Sequence, residues 1–177
     1  KLSNLQILRL EFSFIPVKTS SRMINSLFDI VKNSPTLTHL YPDTSVTGRN
    51  FLEMMTEYKK DTLLGLRTKV DKSSVSLLGS FSKLERLTID LDENCDPSDL
   101  LPLCDLRQLK YLSIRTNYHD SGHSSRGLEI GEFIAKIKSE NLHTLKLKNF
   151  SECDDRVIKR IIELITEPFK NLKKMVL

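Results

Sequence analysis

The stretch Leu109-Lys110-Tyr111-Leu112-Ser113-Ile114-Arg115-Thr116-Asn117 carries apolar residues at its first, fourth and sixth positions and asparagine at its ninth. The same frame returns at Leu5/Leu8/Leu10, Leu84/Leu87/Ile89, Leu142/Leu145/Leu147 and Leu172/Met175/Leu177, with weaker copies at Leu37/Leu40 and Leu64/Leu66. A unit this short cannot bury its own apolar face, so it is stable only when stacked on like neighbours. The spacing therefore predicts a solenoid of about seven units. It also moves the functional question from catalysis to binding.

Taking the fourth position as the mark, Leu8, Leu40, Leu64, Leu87, Leu112, Leu145 and Met175 are about 32, 24, 23, 25, 33 and 30 residues apart. On this frame and these intervals the chain resembles the leucine-rich-repeat family over essentially its whole length. The long, irregular intervals are most similar to the intracellular kinds, the ribonuclease-inhibitor-like and F-box-associated repeats. The resemblance implies an α/β fold, a right-handed β-α superhelix with a parallel concave sheet and helices on the convex side. It implies one leucine-rich-repeat domain over residues 1–177.

Between the frames run stripes at helical spacing. Met23, Ile24, Leu27, Phe28, Ile30 and Val31 follow a Ser20-Ser21 start signal, and Phe51, Met54, Met55 and Tyr58 follow Thr47, read as an N-cap. Leu128, Phe133, Ile134 and Ile137 form a third stripe. Val157, Ile158, Ile161, Ile162 and Ile165 form a fourth, opened by Asp154-Asp155, whose carboxylates suit a helix N-terminus. The connectors Asp71–Gly79 and Pro97–Leu106 have room for about two turns each. These stripes are expected to pack on the sheet rather than to line a cofactor pocket. Two departures stand out. Pro42 takes the sixth position of the second copy, which predicts a short strand near Leu40, and Asp61 takes the first position of the third. Asparagine holds the ninth position only at Asn117, so no asparagine ladder is expected.

At 177 residues the chain can form one continuous core. It opens inside one unit, closes on the last strand of another and shows no polar cap, so it is read as a piece of a longer protein. Neither a signal peptide nor an apolar run near 18 residues is present. Three cysteines, Cys95, Cys104 and Cys153, without flanking clusters, suggest a reducing compartment, cytoplasm or nucleus.

The net charge of +4 is too slight to argue for nucleic acid, but its placement is informative. Strand side chains alternate, so positions three, five and seven of each frame point away from the core. From the third unit onward these are mostly basic: Arg67, Arg86, Arg115, Lys146, Lys148 and Lys174 against one acid, Asp90. Tyr111 lies within the stripe and offers an amphipathic anchor. The expected partner-binding set is Arg67, Arg86, Tyr111, Arg115, Lys146, Lys148 and Lys174, facing an acidic or phosphorylated protein segment. The competing reading is a solvated face. Nucleic acid is disfavoured because Tyr111 is the only aromatic in the stripe.

Sites for chemistry are sparse. His119 and His123 stand four apart around Asp120, but Gly122 and the neighbouring serines read as a loop rather than a zinc-binding helix. No GxxxxGK[ST], GxSxG or HExxH occurs. The chain is read as no enzyme, with no metal and no cofactor. The resemblance implies the substrate-recognition repeats of an F-box-type ubiquitin ligase, with the ligase adaptor a partner only if an F-box lies upstream. The alternative from another class is the sensor or autoinhibitory domain of a nucleotide-binding immune receptor.

Overall fold

The computed structural model describes residues 4–10, 21–43, 47–116, 124–149 and 154–177. The fold is α/β. Seven strands, β1 (Ile7–Arg9), β2 (His39–Tyr41), β3 (Gly65–Val70), β4 (Arg86–Leu91), β5 (Tyr111–Thr116), β6 (Thr144–Lys148) and β7 (Lys174–Val176), form one sheet in sequence order. Every neighbouring pair is parallel. The connectors carry α1 (Ser21–Asn33), α2 (Arg49–Lys59), the single turn α3 (Val75–Leu78), a 3₁₀ helix over Pro97–Asp105, α4 (Ser124–Ala135) and α5 (Asp155–Thr166).

The units are built alike at their junctions. Each strand enters beside the last through one carbonyl that accepts two successive N–H groups: Gln6 from Thr38 and His39, Thr38 from Leu64 and Gly65, Leu64 from Glu85 and Arg86. Glu85, Lys110 and His143 repeat the arrangement at the next three junctions. Parallel strands need crossovers, and the described helices of the connectors pack on one face of the sheet. There Leu66, Leu87, Leu112 and Leu145 share one core with Leu27 and Val31 of α1, Leu52 and Met55 of α2, Phe133 and Ile134 of α4, and Ile161 and Ile165 of α5.

The register corrects one frame. Leu8, Leu40, Leu66, Leu87, Leu112, Leu145 and Met175 form a single row, so the fourth position of the third unit is Leu66 rather than Leu64. Its first position is the buried Leu63, not Asp61. The adjacent leucines Leu63 and Leu64 made the frame ambiguous. Thr68 fills the sixth position, its buried hydroxyl donating to the Lys69 carbonyl at 3.0 Å. Because the side-chain period is two, Gly65 and Arg67 stay on the open face under either frame, Leu63 leaves it and Lys69 joins it.

The other local readings meet the structure as follows. β2 has three residues and ends before Pro42, as a proline that cannot donate to the ladder requires. Asp154 caps α5 by accepting from the Arg156 N–H at 2.8 Å. Thr47 does not cap α2. Gly48 holds that position, at φ 151°, and the Thr47 hydroxyl accepts instead from the Lys69 N–H at 2.9 Å, tying the connector to β3. Tyr58 and Ile162, read as stripe members, are exposed edges of their helices. The 3₁₀ helix is started by a capping box between Asp96 and Asp99. The segment with His119 and His123 is outside the described residues, as are Asn117 and Cys153.

One buried cation has a predictable cost. Lys59, 4% exposed at the end of α2, places Nζ 2.5 Å from the Ser34 carbonyl, and burial holds its pKa below the ordinary 10.5. The carbonyl also accepts from the Leu37 N–H at 3.1 Å, so it keeps a partner if the amine is removed. Lys59→Met is therefore expected to stabilise the fold by about 1 kcal/mol, read by urea unfolding at pH 7. In the native chain the depressed pKa means that the unfolded state binds more protons at Lys59. Stability then rises with pH between the lowered pKa and 10.5, and the variant loses that rise.

Candidate functional site

Among the described residues, the face of the sheet away from the helices carries a depression of about 650 Å³ that runs from β1 to β6. Its side chains fall in rows set by the register. Position three gives Ile7, His39, Gly65, Arg86, Tyr111 and Thr144, ending at Lys174. Position five gives Arg67, Thr88, Ser113 and Lys146, and position seven gives Lys69, Asp90, Arg115 and Lys148. Neighbouring members of a row are about 4.8 Å apart, so long side chains reach across one or two strands.

Arg67, Arg86, Tyr111, Arg115, Lys146 and Lys148 all border the depression, so six of the seven residues expected to bind a partner share one site. Lys174 lies on β7 in the same row as Tyr111 but outside the wall. The wall instead extends over β1 and β2, through Ile7, Arg9, His39 and Tyr41. These residues were legible as outward-facing, but the charge count drew attention only to the third unit onward.

Tyr111 is bracketed by two cations, with the Arg86 guanidinium carbon 4.9 Å and Lys146 Nζ 5.6 Å from the ring centroid. Such contacts fix the direction of a long cationic side chain without neutralising it. Tyr41 has Arg9 over its ring at 5.5 Å, and burial pushes its phenol pKa up, against the opposing pull of Arg86 and Arg9. His39 is held below its usual pKa by burial and by the nearby Arg86 charge, which favours the neutral ring. Gly65 makes this corner possible. A β-carbon there would lie 2.5 Å from both His39 Cδ2 and the Tyr41 hydroxyl, so the two rings occupy the space that a side chain would fill.

Asp90 is 3% exposed and sits between two arginines of adjoining strands. Its Oδ2 is 3.3 Å from Arg67 Nη2 and its Oδ1 is 3.5 Å from Arg115 Nε. Arg115 is its direct neighbour in the row, while Arg67, beside Thr88, reaches it diagonally. Lys69, the other direct neighbour, turns away to Asp92 at 2.6 Å. Among the described residues Arg86, Lys146 and Lys148 have no carboxylate within ion-pair distance. The face thus combines paired and unpaired cations over a floor of Thr88 and Ser113.

Elsewhere the thiols of Cys95 and Cys104 are buried. Burial, reinforced by Asp99, Asp71, Asp96 and Asp92, pushes the Cys95 thiol up to about 12, and burial also raises Cys104. The thiolate is the reactive form. Both are expected to resist iodoacetamide at pH 8 in the folded chain and to react once it is unfolded in urea, as read by peptide mass mapping. Among the described residues no three His, Cys, Asp or Glu side chains come together in a metal-sized group. No helix among them is long and apolar enough to cross a membrane. No protein-family model matches the chain, and none of the curated proteins matches it.

Proposed function

We propose that this chain is a leucine-rich-repeat solenoid whose open strand face docks an acidic protein segment. The observation that carries the reading is the set of cations on one face, Arg86, Lys146 and Lys148, that have no acid partner among the described residues, two of them, Arg86 and Lys146, lying over the Tyr111 ring. Arg115 and Lys148 are direct cross-strand neighbours, and like charges so placed repel, an arrangement that solvation alone does not call for. The register and the repeated junction carbonyls support the solenoid part of the reading. The sheet edges of such a unit suit stacking, and its open face suits an extended ligand. Arginine forks match carboxylate and phosphoryl oxygens, and Tyr111 supplies the apolar contact that charge alone lacks.

The long irregular repeats support, by resemblance, a place as substrate-recognition repeats of an F-box-type ubiquitin ligase, in the cytoplasm or nucleus. In that role the chain selects a partner and catalyses nothing itself. The test is a display library of acidic and phosphorylated peptides panned against the 177-residue chain. Enrichment of acidic peptides, lost as salt rises past the range where exposed charges are screened, supports docking on this face. Enrichment without acidic bias or salt dependence overturns it. The ligase role is tested separately, by asking whether the natural protein carrying this chain co-purifies with a ligase adaptor.

A further inference from the structure

We propose that Asp90 is the specificity-determining residue of this face, making it select phosphoryl groups over single carboxylates on a bound peptide. The inference rests on the docking reading above and sharpens it. Asp90 is buried and does not border the depression, whereas Arg67 and Arg115, which it holds, both do. It therefore works from behind the two guanidiniums rather than repelling a ligand directly.

Its contacts with them are single and long, at 3.3 and 3.5 Å, against about 2.7–2.9 Å for a tight charged hydrogen bond. Asp90 Oδ1 and Arg67 Nε are buried without a hydrogen-bond partner among the described residues. Asp90 thus aims the two arginines and removes one unit of charge, yet among the described residues it leaves most of their donors unused.

A carboxylate ligand offers these arginines what Asp90 already supplies. It must compete with an anion built into the fold, at high effective concentration. A phosphoryl group carries close to two charges and three acceptor oxygens. It can bridge Arg67 and Arg115 across the Thr88–Ser113 floor without displacing Asp90, with Arg86 and Lys146 bordering the same depression. Discrimination of this kind, in which an internal acid penalises the weaker ligand, is selection against the wrong partner rather than a gain for the right one.

The test is a titration of the isotope-labelled chain with two blocked tripeptides, Gly-phosphoserine-Gly and Gly-Glu-Gly, followed by amide shifts. The expected result is binding of the phosphoserine peptide at least ~10-fold more tightly, with shifts at Thr88 and Ser113. In Asp90→Asn the Glu peptide should bind more tightly and the ratio should fall toward one, with the melting temperature recorded as the check on folding. A second variant, Arg67→Lys with Arg115→Lys, keeps every charge but loses the forked donors, and should lower the ratio even if Asp90→Asn fails to fold. Equal binding of both peptides by the native chain overturns the inference and leaves acidic docking standing. An unchanged ratio in the variants also overturns it. Binding of neither peptide overturns the docking reading itself.

Discussion

Arg86→Glu combined with Lys146→Glu should weaken binding of an acidic peptide by about 100-fold or more and flatten its salt dependence. The pair is chosen because neither cation neutralises an acid of the chain among the described residues, so reversal leaves no buried carboxylate behind. Arg67 and Arg115 are poor choices for the same experiment. Removing either leaves the buried Asp90 with one arginine instead of two, so a loss of binding would be mixed with a loss of stability. Reversal at Arg86 and Lys146 also places two carboxylates against Tyr111, where each cation had bracketed the ring. Fluorescence anisotropy at two ionic strengths reads the effect, and circular dichroism confirms that the sheet persists. An affinity unchanged within a factor of two would mean that the face is simply solvated, and recognition must then be sought on the connectors.

Leu112→Ala tests the frame itself. Leu112 is 1% exposed in β5, which is paired on both sides by β4 and β6, and lies in the leucine row between Leu87 and Leu145. Truncation leaves a cavity that neighbours on both sides cannot fill, because each is fixed by its own ladder. The expected loss is about 2–5 kcal/mol, and for a chain of this size a fall in melting temperature of roughly 5–15 °C. Leu101 is the control. It belongs to the same residue type but is 47% exposed in the 3₁₀ helix, so Leu101→Ala should change stability by less than about 0.5 kcal/mol. Comparable losses in the two variants would remove the leucine row from the account of the core.

Much of the architecture was legible because the repeat restates one local rule. Leucines at the first and fourth positions of most units are buried, and the alternation that sends them inward sends Arg86, Arg115, Lys146 and Lys148 outward. Helical stripes gave α1, α2, α4 and α5, and the short intervals correctly left room for only a turn or a 3₁₀ segment. Errors arose where apolarity did not discriminate. Leu63, Leu64 and Leu66 fit two frames, and only pairing of Leu66 with Leu40 and Leu87 decides between them. Thr47 has the chemistry of a helix cap, but its hydroxyl is used by a strand 22 residues on.

What the sequence determined by itself is therefore the period, the inward row and the sign of charge on the open face, since each depends only on spacing along the chain. The tertiary structure decided which of those charges are available. Asp90 draws Arg67 diagonally and Arg115 directly, Lys69 leaves for Asp92, and Gly65 admits His39 and Tyr41 into a depression that begins two strands earlier than the charge count suggested. These are contacts between residues about 25 positions apart, set by strand register and side-chain reach. A one-dimensional pattern records the direction in which a side chain leaves its strand, but not the neighbour it meets there.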